Sequence, residues 1–271
     1  MKRPAVLSIA GSDPSGGAGI QADLKTMTAF GCYGMTAITA ITVQNTLGVT
    51  GVTELPADLA GRQIDAVFSD IRPDAVKIGM MSSGETIRVI AEKLREYEAE
   101  NIVLDPVMVS TSGHRLIREE AMDALIHELL PAADLITPNL REAEALLDMP
   151  VQDRNDMIRA GEKLFSVTGH PVLLKGGHLP DSADDLLFLD SGPVWYPGSR
   201  VQTQNSHGTG CTLSSAIASG LALGLSLQDA VREAKDYLSG ALAAGLSMGH
   251  GRGPVDHCFR IGRRDQNEQT D

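Results

Sequence analysis

Ala5-Val6-Leu7-Ser8-Ile9-Ala10 runs into Gly11-Ser12-Asp13-Pro14-Ser15-Gly16-Gly17-Ala18-Gly19 and then into Ile20-Gln21-Ala22-Asp23. The first run is nearly all apolar and of strand length, the pattern of a strand covered on both faces. The second is a glycine-rich loop, and the third opens a helical pattern. A strand feeding a helix through such a loop is the first half of a βαβ unit, and the alternation continues along the chain. Strands are expected at 5–10, 36–43, 75–78, 102–105, 135–137, 172–175 and 186–189. Helices are expected at 19–30, 56–69, 85–98, 119–130, 139–147, 156–167, 212–223 and 227–246. This order implies an α/β fold of three layers, a mainly parallel sheet with helices on both faces. No linker or internal repeat interrupts it, so residues 1–262 read as a single domain and 263–271 as a polar, frayed tail. Ligands of such sheets gather at the carboxyl ends of the strands.

Composition narrows the function. The 271 residues carry 23 Lys+Arg against 35 Asp+Glu, a net charge of −12, with 4% aromatic residues. That combination disfavours nucleic acid as a partner, having neither a basic footprint nor stacking platforms. Cys32, Cys211 and Cys258 form neither a zinc spacing nor a disulfide framework and read as reduced thiols of a cytoplasmic protein. No apolar run is long enough to span a membrane, and the first apolar run is too short for a signal-peptide core.

The polar motifs sit where strands end or helices begin. In the first loop, Gly17-x-Gly19-x-x-Ala22 imitates a dinucleotide fingerprint. That reading requires an acidic residue at the end of the second strand, which instead ends Val43-Gln44-Asn45. A P-loop requires a Gly-Lys pair, and the chain has none. A backbone cradle beside a small ligand remains, with Asp23 one turn into the next helix. The Gln44 amide offers one donor and one acceptor, suited to a heteroaromatic ring with adjacent N and NH2 groups. Asp105 is kept extended by Pro106 and suits Mg2+ or a reacting hydroxyl. Asn139 and Glu142 form a capping-box pattern that alone would mean only a helix start. Lys175, beside Gly176 and Gly177, suits a phosphate. Asn205-Ser206-His207-Gly208-Thr209-Gly210-Cys211-Thr212 precedes a long helix, so its backbone N–H groups and helix dipole form an anion site. Cys211, on that first turn, is expected to have a lowered pKa and to act as base or nucleophile. Cys32 and Cys258 read as small buried fillers. No spacing rule makes a dyad of His207 and Cys211.

Taken in order, these motifs resemble the ribokinase superfamily, and within it the hydroxymethylpyrimidine/phosphomethylpyrimidine kinases of thiamine synthesis. The resemblance covers Ala5 to Gly253 and rests on 10–23, 43–46, 77–80, 105–108, 137–142, 175–178 and 207–212. It implies ATP as phosphoryl donor and Mg2+ as metal. Gln44 and Asp23 would read an aminopyrimidine in a pocket lined by Gly11, Met80 and Val107. Asp105 and Glu142 would serve the Mg2+ side together with Asn139. Lys175 would touch the nucleotide phosphates, Gly208, Thr209 and Gly210 would bind the transferring phosphoryl group, and Cys211 would be the base. A homodimer is the family expectation. Two departures stand out: Ser206 where relatives more often carry Thr, and Thr111 where many carry Lys, in a segment, 110–115, that reads as a flap. The expected reaction is phosphorylation of 4-amino-5-hydroxymethyl-2-methylpyrimidine and then of its monophosphate. Pyridoxine/pyridoxal kinase and a non-catalytic pyrimidine-binding protein are the alternatives.

Overall fold

The computed structural model describes residues 3–108, 117, 120–177, 179 and 182–261. The flap expected at 110–115, His178 and the tail 263–271 lie outside the described residues. Strands β1 (Ala5–Ser12), β2 (Tyr33–Asn45), β3 (Gly48–Glu54), β4 (Ala75–Ile78), β5 (Ile102–Leu104), β6 (Leu135–Ile136), β7 (Val172–Leu174), β8 (Asp185–Leu189) and β9 (Gly192–Tyr196) form one sheet. Its order is β3-β2-β1-β4-β5-β6-β7-β8-β9. The pairs from β2 through β1 and β4 to β7 are parallel. The β2–β3, β7–β8 and β8–β9 pairs are antiparallel and extend both edges.

Strand periodicity divides the interior in two. Leu7, Ile9, Val76, Ile78 and Leu104 point into one core with Ile64, Ile87, Ile90 and Leu164. Val6, Ala75, Val103, Leu135 and Leu173 point into the other with Met27, Leu213, Ile217 and Tyr237. Alternate side chains of one strand thus serve opposite cores, which is why the parallel strands read as continuous apolar runs. Helices α2 (Ala57–Phe68), α3 (Gly84–Glu96) and α6 (Arg154–Thr168) contribute to the first core. Helices α1 (Gly19–Ala29), α7 (Thr209–Ala222) and α8 (Leu227–Ala243) contribute to the second.

Several helix ends follow directly from sequence. Ser83 accepts from the Thr86 N–H and caps α3. Asn139 caps α5 (Leu140–Leu147) in a complete capping box with Glu142. The helix expected at 119–130 is broken up. A short α4 (Ala121–Ala124) gives way to a π-turn (Leu125–Leu129) and a 3-10 turn (Leu130–Ala132). Pro131 has no N–H to continue the helical ladder. Strands β3 and β9 are additions to the expected set, and α7 begins three residues before its expected start, placing Gly210 and Cys211 inside its first turn.

Candidate active site

The two glycine-rich loops interlock. Gly208, the N-cap of α7, has φ +76°, and the position its Cβ would take lies 1.8 Å from the Gly17 carbonyl oxygen. A side chain there is barred by both the backbone conformation and the neighbouring chain. A Cβ on Gly17 would in turn lie 2.4 Å from the His207 ring. This close approach seats the N-terminus of α7 against the loop that follows β1.

One wall is built from the ends of β1, β2 and β4. Gly11 packs on Met80, whose sulfur lies 3.2 Å from the place of a Cβ at Gly11. Val107 packs on the buried pair Ala40 and Met80. The expected lining residues therefore come together. Gln44 stands nearby, half-buried, with its amide against Thr42 and His207. Asp13 lies behind His207. Burial opposes its charge, but bonds from His207 and Ser15 hold its carboxyl below the usual carboxylate range.

Asp23 requires a correction. Its carboxylate is fully buried and bonded from within the fold. Lys77 Nζ lies at 3.0 and 2.9 Å, the Ser8 hydroxyl donates at 2.5 Å and the Ser215 hydroxyl at 2.7 Å. The buried Lys77–Asp23 ion pair is an internal brace beneath the site rather than a reader of substrate. It ties α1, β1 and β4 to Ser215, one turn beyond Cys211 on α7.

Cys211 also differs from expectation. Burial pushes its thiol up to about 11. The Lys77 ammonium and the Gly19 N–H favour the thiolate, whereas Asp23 and Asp105 oppose it. With its pKa pushed up, the resting group is a thiol rather than the expected thiolate. Cys258 is exposed rather than a buried filler, while Cys32 is buried as expected.

The other wall carries the charged cluster. Lys175 Nζ contacts Asp105 at 2.6 Å and stands 3.8 Å from Glu142. The Thr137 hydroxyl donates to Asp105 at 3.3 Å. Glu142 accepts the Asn139 N–H at 2.7 Å, so it is a capping residue and a member of the cluster at once. Burial lifts the Glu142 carboxyl to about 7, with Lys175 opposing the rise and Asp105 adding to it. Burial alone would lower the Lys175 ammonium, but Asp105 and Glu142 hold it above its usual value. A Cβ on Gly210 would lie 3.1 Å from Asp105 Oδ2 and 3.4 Å from Lys175 Nζ, so the absent side chain lets the helix backbone approach the cluster closely. The cluster thus faces the backbone of the α7 first turn. The Thr209 hydroxyl donates to the Ser206 carbonyl at 3.2 Å.

Two carboxylates beside a lysine, facing the backbone of a helix start, fit Mg2+ held largely by phosphates and water, the usual arrangement for that ion. Among the described residues no group of three or more His, Cys, Asp or Glu could cage a metal.

The family model for phosphomethylpyrimidine kinase matches residues 13–256. The chain belongs to the phosphomethylpyrimidine kinase family. It is 53% identical over 258 residues to the hydroxymethylpyrimidine/phosphomethylpyrimidine kinase of Rhizobium meliloti, covering 94% of this chain and 97% of that one. Among solved structures, phosphomethylpyrimidine kinase from Clostridium difficile 630 superposes with a TM-score of 0.79 at 48% identity, covering 88% of this chain and 98% of that one. An ADP complex of Bacillus subtilis pyridoxal kinase superposes with a TM-score of 0.89 at 34% identity, covering 96% and 100%. The chain is accordingly a kinase of ribokinase-like fold. Of its expected site residues, Gly11, Gln44, Met80, Asp105, Val107 and Lys175 lie at or just past strand ends, Asn139 and Glu142 at the start of α5, Gly208 to Cys211 at the start of α7, and Asp23 is buried within α1. Lys77 and Asp13 carry no role in the sequence motifs, and His207, weighed there only as a partner of Cys211, stands instead against Asp13 and Gln44. Lys77 lay within a quoted motif, but its buried partner is 54 residues away.

Proposed function

We propose that this kinase transfers the γ-phosphoryl group of ATP to the hydroxyl of 4-amino-5-hydroxymethyl-2-methylpyrimidine. It then phosphorylates the monophosphate to the pyrophosphate used in thiamine synthesis. The observation that carries this reading is the position of the α7 first turn. It lies between a wall bearing the Gln44 amide and a cluster of Asp105, Glu142 and Lys175. In-line phosphoryl transfer needs that order: acceptor on one side, donor phosphates on the other, positive dipoles between them.

In this reading Gly11, Met80 and Val107 hold the ring, and Gln44 reads its nitrogen and amino group. The N–H groups of Gly208, Thr209 and Gly210 receive the charge that develops on the transferring phosphoryl group. Lys175 moves from Asp105 toward the nucleotide phosphates, with Asn139 and Glu142 at the same wall. Asp105 and Glu142 would hold Mg2+, which supplies charge neutralisation at the phosphates. Cys211 starts protonated, so its first role is to orient the acceptor hydroxyl. Accepting a proton requires the thiolate that Lys77 and the Gly19 N–H favour. The second acceptor, a phosphate oxygen, is already anionic and depends less on such a base. A homodimer is the assembly that fits the antiparallel β2–β3 ribbon, on which Ile41, Val43 and Leu47 are exposed.

Pyridoxal kinase activity is the second reading, favoured by the extent of the superposition on the B. subtilis enzyme. ADP release measured with the hydroxymethylpyrimidine, its monophosphate and pyridoxine separates the two. The expected order of kcat/KM places both pyrimidines above pyridoxine. The reverse order would overturn the assignment.

A further inference from the structure

The pairing of β7 with β8 stops at Leu174 and Leu186, one residue before Lys175. A continued ladder would set Gly176 opposite Asp184. Instead a side chain takes over, and the Gly176 N–H donates to Asp185 Oδ1 at 2.8 Å. The other carboxylate oxygen, Oδ2, accepts from Lys235 Nζ of α8 at 2.5 Å, and the same ammonium donates to the Ala183 carbonyl at 2.8 Å. Two bare glycines allow this packing. A Cβ on Gly176 would lie 1.8 Å from the Asp184 carbonyl oxygen. One on Gly198 would lie 2.3 Å from the Ala183 carbonyl oxygen and 2.9 Å from the Lys235 stem. Asp185 is buried, at 6% exposure. Burial disfavours its charge, while Lys235 and the Gly176 N–H sustain it. For stability alone, an apolar pair of similar size serves as well as a buried ion pair or better. What an apolar pair could not supply is an acceptor for Gly176.

That acceptor sits beside the residue that faces the phosphates. On the opposite edge of β7, the Lys175 N–H donates to the Pro138 carbonyl at 2.9 Å. The Lys175 backbone is therefore held on both sides of its Cα, by Pro138 through its own N–H and by Asp185 through the next. Only the side chain is left to move, from Asp105 at 2.6 Å toward another anion. We propose that Asp185 and Lys235 are positioning residues for nucleotide binding: the carboxylate anchors the Gly176 N–H, and that anchor aims Lys175 at the phosphates of ATP. The proposal rests on Lys175 being the phosphate contact. Lys235 neutralises the anchor, so Asp185 does not draw the Lys175 ammonium away from Asp105 and the nucleotide.

The test compares two double variants that differ in one group. Asp185→Leu with Lys235→Met removes both charges and the acceptor for Gly176. Asp185→Asn with Lys235→Met removes both charges and keeps a carbonyl acceptor. Calorimetry measures binding of AMP-PCP with Mg2+ and, separately, of 4-amino-5-hydroxymethyl-2-methylpyrimidine, alongside melting. The Leu/Met protein should bind AMP-PCP about tenfold to a hundredfold more weakly, the scale of one lost hydrogen bond to a charged group. Its pyrimidine affinity should stay within about twofold, because the acceptor wall is untouched. The Asn/Met protein should bind AMP-PCP within about threefold of the unaltered protein, since the hydrogen bond to Gly176 survives. Equal AMP-PCP affinities in the two double variants overturn the proposal, whether both are native or both are weak. If the Leu/Met protein does not fold, the Asn/Met protein decides alone, and lost AMP-PCP binding with unchanged melting contradicts the proposal. In a Lys175→Met background the Leu/Met change should weaken AMP-PCP binding no further, because the effect travels through Lys175. A loss that adds to that of Lys175→Met overturns the proposal and leaves the reading of Lys175 standing. Should Lys175→Met itself leave AMP-PCP binding unchanged, the reading of Lys175 fails and the proposal falls with it.

Discussion

At the residue scale the chemistry turns on Cys211. A thiol raised to about 11 by burial holds only about one part in 10⁴ as thiolate at pH 7. Alkylation at neutral pH should therefore modify the exposed Cys258 first, leaving activity intact. Inactivation should appear later and accelerate with pH, and bound pyrimidine should slow it. Peptide mass mapping against residual activity checks this order. Rapid inactivation with modification confined to Cys211 would show that the resting form is thiolate after all. Cys211→Ala should lower kcat for the first phosphorylation by about 10²-fold or more, with ATP affinity kept because the backbone N–H groups survive. The motif revealed the cysteine's place on a helix start, but not the protein around the sulfur. Asp23 shows the same limit in reverse. It is part of a specific loop motif, yet its partners Lys77 and Ser215 lie 54 and 192 residues away and become visible only in the folded chain.

Elements supply the rigidity that holds these residues. The Lys77–Asp23 pair joins α1 to β4 with both side chains at 0% exposure. Breaking a buried pair by removing one partner costs about 3–5 kcal/mol because the other charge is stranded. Lys77→Met should lower the melting temperature by roughly 6–20 °C for a chain of this size. The double variant Lys77→Met with Asp23→Leu should recover part of the loss. Melting by circular dichroism decides it, and two additive losses would mean that the charges do not depend on each other. The central parallel strands were legible because both their faces are buried. The edges were not. In β3, Gly48 and Gly51 dilute the alternation and no residue is fully buried. In β9, Pro193 argues against a strand except at an edge, where β9 lies.

Over the whole molecule, the segment after α8 closes onto the site helix through His257. Its Nε2 lies 3.0 Å from the Thr212 hydroxyl, and its carbonyl accepts the Tyr237 hydroxyl at 2.6 Å. Burial, reinforced by the Lys25 ammonium, pushes this imidazole down to about 4. The folded protein therefore favours neutral His257, while the unfolded chain titrates near 6.5. Its contribution is present above about pH 6.5 and is lost as the pH falls toward 4, an effect of roughly 3 kcal/mol. Denaturant unfolding across that range should show this acid limb, and His257→Gln should flatten it. An unchanged limb would place the sensitivity elsewhere. The central claim is that one site carries out two successive transfers. A 31P NMR time course with the hydroxymethylpyrimidine and excess ATP tests it most directly. The monophosphate signal should rise and then give way to the paired signals of the pyrophosphate as a second equivalent of ADP forms. A reaction that halts at the monophosphate with ATP remaining would contradict it.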